Sequence, residues 1–136
     1  MKENTEIAEF QTPTSTVRVI RPNIIENIIK DYANIDIKDV LEFKALNKEL
    51  MGNKPYAVLV NSAITATITK EARELSASKD FVQNTVAKAL LVSGMGHKIV
   101  AKFYLKINKP FIKTEIFTDR EEAIKWLEKE LKLRGV

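Results

Sequence analysis

The sequence contains no cysteine among its 136 residues. Disulfide bonds, thiolate nucleophiles and cysteine-ligated metal sites are therefore excluded, and nothing ties the chain to an oxidising compartment. The first residues, from Met1 to Glu6, lack the apolar core of a signal peptide, and no apolar run approaches the length of a membrane span. We therefore expect a cytoplasmic protein that is not transmembrane.

Histidine is almost absent as well, since His97 is the one histidine of the chain. A histidine-rich metal site or a Ser-His-Asp triad would have to depend on this residue alone. Its position after Gly96 favours a surface or helix-capping role. The neighbouring carboxylates Glu121 and Glu122 do not form an acid/base pair, because adjacent helix positions point apart. We expect no enzymatic activity, no metal and no cofactor.

The net charge of +4 is concentrated in the C-terminal part of the chain. Residues 1–85 carry 11 Lys and Arg against 12 Asp and Glu, whereas residues 86–136 carry 11 against 6. Lys98, Lys102 and Lys106 recur every four residues and would form a stripe on one helix. A solvated helix edge is the favoured interpretation, and nucleic acid is an unlikely partner because the nearby aromatic residues lie at core spacing.

The hydrophobic pattern predicts a single α/β domain over residues 14–136, preceded by a flexible N-terminal arm at residues 1–13. The element order is ββαβαβαβα, a mixed sheet with an N-terminal β-hairpin and crossover helices. The strands are predicted at residues 16–20, 24–32, 56–60, 86–92 and 111–117, and the helices at residues 36–51, 69–78, 97–108 and 119–131. The spacing within residues 24–32 also fits a helix face.

Three local signals fix parts of this assignment. The unbroken apolar run from Tyr56 to Val60 is typical of a central strand that is covered on both faces. Thr69 is placed to cap the following helix. The motif Thr118-x-x-Glu121 predicts a capping box at the start of the last helix.

The helix after Gly96 has an apolar face of its own. Ile99, Val100, Phe103 and Tyr104 recur at helical spacing, and we expect them to pack inward against the sheet.

The element order, the run Ala87 to Val92 and the segment Asp119 to Leu127 together resemble STAS-like domains, the anti-sigma-factor antagonist (SpoIIAA-like) modules. The resemblance is to an uncharacterised bacterial branch whose members end in a similar Phe-Thr-x-x-Glu-Glu-Ala-x-x-Trp-Leu pattern, and it covers residues 14–132. It implies a module that binds a partner protein in bacterial regulation or stress signalling.

The same resemblance implies where a phosphorylation switch would lie. Partner-switching members carry an Asp-Ser pair, a small residue and a glycine at the start of the helix after the central strand, and the serine is phosphorylated. The matching stretch from Thr65 to Glu71 has threonines but neither the Asp-Ser pair nor the glycine. The motif is not retained, and Thr67 and Thr69 are the candidate substitutes.

The segment Ser93-Gly94-Met95-Gly96-His97-Lys98 is the most suggestive string for ligand binding. Glycines between a strand and a helix let backbone amides approach an anion, and a lysine adds charge. The spacing is not that of a P-loop or a dinucleotide-binding motif, and a plain turn is the favoured interpretation.

If the strands that end at Val60 and Val92 are parallel neighbours, this turn lies beside Asn61 and Ser62 at the ligand-binding edge of the sheet. The candidate partner- or anion-binding residues are therefore Asn61, Ser62, Thr65, Ser93, Gly94, Gly96 and Lys98.

The sequence is compatible with two functions. The favoured one is association with another protein, with a homodimer through the hairpin edge as a further option. The alternative is a carrier or sensor of a lipid or another small anionic ligand. A sizeable pocket lined by Ile99, Phe103 and Tyr104 would favour the carrier, whereas a filled core with an exposed apolar patch would favour protein association.

Overall fold

A six-stranded mixed sheet forms the centre of the computed structural model, which describes residues 8–136. The strands are β1 (Glu9–Gln11), β2 (Ser15–Arg21), β3 (Ile24–Ile29), β4 (Asn34–Ile35), β5 (Tyr56–Ser62), β6 (Thr67–Ile68), β7 (Thr85–Leu91) and β8 (Lys113–Phe117). The helices are α1 (Ile37–Met51), α2 (Lys70–Ala77), α3 (Gly94–Asn108) and α4 (Arg120–Leu133). No helix in residues 8–136 combines the length and the apolar character needed to cross a membrane.

The strand order in the sheet is β1-β2-β3-β5-β7-β8. The first three strands pair antiparallel, and β3, β5, β7 and β8 run parallel to one another. Strands β4 and β6 form a separate two-stranded parallel ribbon. The predicted mixed sheet with crossover helices is confirmed, and residues 24–29 are a strand, not a helix.

The structure differs from the predicted flexible arm at its C-terminal end. Glu9–Gln11 form the edge strand β1, in which Phe10 pairs with Val17 of β2. The hydroxyl of Thr12 then accepts a hydrogen bond from the backbone N–H of Ser15 at 2.9 Å, which closes the turn into β2. This segment is held because its backbone groups pair with those of β2. Residues 1–7 of the predicted arm lie outside the described residues.

Two apolar cores lie on opposite faces of the sheet. On one face, β2, β3 and β5 pack against α1 and α2, and α3 lies beside α2. On the other face, β3, β5 and β7 pack against α4 through Ile124 and Leu127. Strand β5 contributes Val58 to the first core and Leu59 to the second, so the predicted central strand with two covered faces is confirmed.

Helix α3 is oriented differently from the prediction. Ile99, Val100 and Phe103 are exposed, Tyr104 is half-buried, and Ala101 is the one buried residue of this helix. The apolar spacing correctly predicted a helix with one apolar face, but it did not show whether that face packs against the sheet or is exposed to solvent. Because α3 contacts α2 and the edge strand β8, its inner side is narrow, and a small alanine fills the contact.

Helices α2 and α4 begin at residues that cap their N-termini, and one of the two predicted caps is wrong. The prediction that Thr69 caps α2 is confirmed, since its hydroxyl accepts a hydrogen bond from Ala72 N–H at 3.1 Å. The predicted capping box at Thr118 is wrong by one residue: Asp119 is the N-cap of α4 and accepts from Glu122 N–H at 3.1 Å. Thr118 and Asp119 are both favourable capping residues, and the sequence does not decide between two adjacent ones.

Candidate functional site

The carboxyl ends of the parallel strands meet at one edge of the sheet, where an open cleft of about 220 Å³ lies. Its lining combines residues from β5, from the segment that follows β7, and from the β8–α4 junction. The lining residues are Asn61, Ser62, Leu91, Val92, Ser93, Thr118 and Arg120. We call this cavity the carboxyl-edge cleft. The prediction that the turn after Val92 lies beside Asn61 and Ser62 is confirmed, because β5 and β7 are parallel neighbours.

A buried carboxylate lies next to this cleft. Glu26, in the middle of β3, is fully buried. It accepts two hydrogen bonds from the guanidinium of Arg120, from Nη1 to Oε2 at 2.6 Å and from Nη2 to Oε1 at 2.7 Å. Arg18 donates to Oε1 at 3.2 Å, and Asn61 donates to Oε2 at 3.1 Å. The contact with Arg120 therefore ties the start of α4 to the sheet centre.

The carboxyl group of Glu26 stays ionised at neutral pH. Burial raises the pKa of Glu26, but the hydrogen bonds from Arg120 and Asn61 and the charge of Arg120 more than offset this, so its pKa lies below the usual value. One carboxylate is shared by two guanidinium groups, and the negative charge of Glu121 also acts on Arg120. Reasoning from the sequence missed this cluster. The available signal was a glutamate in the isoleucine-rich run Ile24–Ile29, since a charged residue in a buried strand needs a partner.

The Ser93–Lys98 segment begins α3 instead of forming a separate turn. Gly94 has a φ of 82°, in the left-handed region that favours glycine, so the chain reversal from β7 into α3 accounts for this glycine. The backbone N–H of Ser93 donates to Nδ1 of His97 at 3.1 Å, which agrees with the predicted capping role. Partial burial lowers the pKa of His97, so the imidazole is an acceptor here. Gly96 is exposed and Lys98 half-buried on the same helix.

The threonines predicted as site residues lie apart from the carboxyl-edge cleft. Thr65 accepts from Tyr32 N–H at 2.9 Å and donates to Asp31 at 3.1 Å, so it braces the turn after β3. Thr67, in β6, is exposed and donates to Asn34 Oδ1 at 2.9 Å.

Thr69 belongs to a second open cleft, of about 400 Å³, between the starts of α1 and α2. Its other lining residues are Asp36, Ile37, Lys38, Leu41 and Glu71. The structure thus places Asn61, Ser62 and Ser93 at the carboxyl-edge cleft and the threonines away from it, and the binding roles of the predicted site residues stay predictions.

The outer side of α3 carries an apolar stripe, and two of its residues, Ile99 and Phe103, were predicted from the sequence to pack inward. Met95, Ile99, Phe103 and Ile107 recur every four residues and are 58% to 76% exposed. We call these four residues the α3 stripe. Val100 is exposed beside them. Because exposed apolar patches of this kind mark interaction surfaces, the α3 stripe is a candidate site in its own right.

The described residues offer little that would bind a metal ion. Among residues 8–136, no group of three or more histidine, aspartate or glutamate side chains is arranged to hold one. The polar groups of the carboxyl-edge cleft are hydroxyls, one amide and one guanidinium, which are suited to hydrogen bonding with a polar or anionic group.

A comparison with protein-family models shows the family to which this chain belongs. A family model described as a domain of unknown function (DUF7793) matches residues 19–131. The chain belongs to the DUF7793 family. No curated protein matches it.

Among solved structures, the chain is similar to an uncharacterized protein of the DUF3478 family with a SpoIIAA-like fold, from Shewanella loihica PV-4. The match covers 93% of this chain and 98% of that one, with 12% sequence identity and a TM-score of 0.51. At this identity the likeness shows the fold alone. The resemblance to SpoIIAA-like domains is thereby confirmed for the fold of this DUF7793 protein.

Proposed function

We propose that this DUF7793 protein is a non-catalytic STAS-like module that binds another protein in bacterial regulation or stress signalling. The observation that carries the proposal is the α3 stripe, four large apolar side chains that face solvent on one helix. The Ser93–Lys98 segment is continuous with this surface, because it forms the first turn of α3. The cysteine-free composition fits a cytoplasmic location.

The energetic argument rests on the area that a partner would cover. Burying one large apolar side chain contributes about 1.5 to 3 kcal/mol. The four residues of the α3 stripe are already partly covered, so a partner that buries them gains roughly 4 to 8 kcal/mol before the costs of association. That gain is large enough for the stripe to form the centre of an interface.

The alternative, a carrier or sensor of a lipid or small anion, has weaker support. Ile99 and Phe103, which would have lined its pocket, face solvent. The guanidinium of Arg120 in the carboxyl-edge cleft is the feature that favours a small anion, but the volume of the cleft, about 220 Å³, is below the range of roughly 300 to 1,000 Å³ typical of ligand pockets. Association with a protein is therefore the better-supported function.

A phosphorylation switch would act at the β4–β6 ribbon or at Thr69, which lines the second cleft. Thr67 is exposed, and a phosphate there would replace its hydrogen bond to Asn34 with a group carrying up to two negative charges. Thr69 is half-buried and its hydroxyl already caps α2. We therefore favour Thr67 as the phosphoacceptor. Phosphopeptide mapping of the protein from its own cells tests this, and a phosphate found on Thr69 alone would contradict the preference.

Native mass spectrometry of the protein purified from its own cells tests the main proposal. We compare the wild type with Ile99→Asp/Phe103→Asp, in which the α3 stripe is interrupted by charge. Leu133→Asp is the matched control, because Leu133 is 68% exposed on α4, on the opposite face of the sheet. Circular dichroism spectra are recorded to check that each variant is folded.

We expect a protein to copurify with the wild type and with Leu133→Asp and to be lost from the stripe variant. A partner that the stripe variant retains would contradict the assigned surface. A bound small molecule without a protein would favour the carrier function instead.

A further inference from the structure

We propose that the segment that docks on the α3 stripe is an acidic amphipathic helix lying along α3. This inference rests on the proposed function and adds the chemistry of the partner. It comes from two features of the surface: the length and shape of the stripe, and the lysines beside it.

The shape of the stripe favours a helical partner. Met95 and Ile107 are twelve residues apart, which corresponds to about 18 Å along the helix axis. The backbone groups of α3 are hydrogen-bonded within the helix, so this surface offers nothing to an added strand. A partner helix satisfies its own backbone and can bury an apolar face of three to four turns against the stripe.

Lysines border one flank of the stripe. Lys102 and Lys106 are exposed, and helical geometry places them on the same side of the line through Ile99 and Phe103. Acidic residues on the facing edge of a partner helix would pair with both lysines. Such exposed pairs contribute little to affinity, so they select the charge and orientation of the partner while the apolar contact supplies the affinity.

Helix α2 forms the other flank of the stripe. Helix α2 lies on the Tyr104 side of α3, since the hydroxyl groups of Tyr104 and Ser76 are 3.3 Å apart. On α2, Arg73 lies one turn from Ser76 and its charge acts on Tyr104, whereas the exposed Glu71 and Glu74 lie on the far side of that helix from Ser76. The charged side chains beside the stripe are therefore basic, which favours acidic residues on the partner.

A peptide-display selection tests the inference. The library contains 16-residue helices with a fixed apolar stripe, and Glu, Gln or Lys is allowed at every flanking position. The full-length wild type and the variant Lys102→Glu/Lys106→Glu serve as targets. The matched control is Lys125→Glu/Lys129→Glu, which makes the same charge reversal at the same spacing on the exposed side of α4. Phe103→Asp reports on the apolar contact.

We expect glutamate to be enriched on one edge of the peptides selected by the wild type and by the α4 control. The Lys102→Glu/Lys106→Glu variant should enrich lysine there, and Phe103→Asp should weaken binding of the selected peptides by at least tenfold. Enrichment without a charge preference would overturn the acidic partner and leave the proposed function standing. Peptide binding that Phe103→Asp does not weaken would show that the stripe is not the docking surface.

Two further measurements address other occupants of the stripe. Co-sedimentation with phosphatidylglycerol vesicles that is lost in Phe103→Asp would overturn the inference in favour of a membrane. A dimer in sedimentation-velocity experiments that dissociates in Phe103→Asp would overturn it in favour of a second copy. A wild type that neither co-sediments nor dimerises through Phe103, together with the charge-dependent peptides, supports the acidic helix.

Discussion

Replacing Arg120 by methionine should destabilise the protein more than any other single change in the cluster around Glu26. The side chain of Glu26 is fully buried, whereas that of Arg120 is 36% exposed. Removing Arg120 leaves a buried carboxylate with only Arg18 and Asn61 as partners, at 3.2 and 3.1 Å. Breaking a buried ion pair in this way costs about 3 to 5 kcal/mol, and we expect about 3 because two partners remain.

Replacing Glu26, the other partner of this ion pair, should reduce the stability less than replacing Arg120. In Glu26→Leu the two guanidinium groups left behind can still reach water, so the expected loss is about 1 to 2 kcal/mol. The double variant Glu26→Leu/Arg120→Met removes both charges and leaves no buried carboxylate. It should be more stable than Arg120→Met alone, which makes the effects of the two substitutions clearly non-additive.

Urea unfolding at pH 7 measures these differences. The fluorescence of Trp126 is a suitable probe, because its ring packs on Phe117 with 5.5 Å between the ring centroids and lies on the same helix as Arg120. Lys125→Met is the control, since Lys125 is exposed on α4, and its effect should lie within about 0.5 kcal/mol. An Arg120→Met cost below about 1 kcal/mol, or additive effects in the double variant, would refute this reasoning.

Three further predictions concern titration and helix capping. Because the pKa of Glu26 is below its usual 4.5, the ionised carboxylate stabilises the protein above about pH 4.5, and this stabilisation is lost as the pH falls through the folded-state pKa. In acid unfolding monitored by circular dichroism, the difference in stability between the wild type and Glu26→Gln should therefore decrease to zero below pH 4.5. Burial lowers the pKa of Lys88 from 10.5 to about 8, so Lys88→Met should raise the free energy of unfolding by about 1 to 2 kcal/mol at pH 7, and this gain should disappear between pH 8 and pH 10.5 in urea titrations. Thr69→Ala should cost about 1 kcal/mol and speed amide exchange at Ala72, whereas Thr69→Ser should retain the cap; equal exchange in both variants would contradict the capping role.

The sheet could be predicted because its signals are local. The run Tyr56–Val60 is apolar at every position, which only a strand covered on both faces requires, and it became β5. Asn61, Ser62 and Ser93 could be grouped for the same reason: once two strands are known to be parallel neighbours, their carboxyl ends share an edge. The threonines could not be placed in this way, because the β4–β6 ribbon has two residues in each strand and leaves no periodic pattern.

The missed Glu26–Arg120 contact and the wrong orientation of α3 both depend on tertiary contacts, which a local sequence pattern does not contain. The contact between Glu26 and Arg120 joins residues 94 positions apart, and no spacing rule links them. The orientation of α3 failed for a related reason. An apolar stripe is the same pattern whether it meets the sheet or a partner, and only the narrow contact around Ala101 shows that the stripe faces outward.

The orientation of α3 also separates the proposed binding surface from the parts of the protein that stabilise its fold. The two cores are built from the sheet with α1, α2 and α4, while α3 adds Ala101 as its one buried residue. The α3 stripe therefore contributes little to the stability of the isolated domain, and exposing it to water favours aggregation. Polar residues at Ile99 or Phe103 would not disturb either core. Since the apolar residues are not needed for the fold, the proposed binding accounts for them, and substitutions there should change association while leaving the free energy of unfolding within about 0.5 kcal/mol of the wild type.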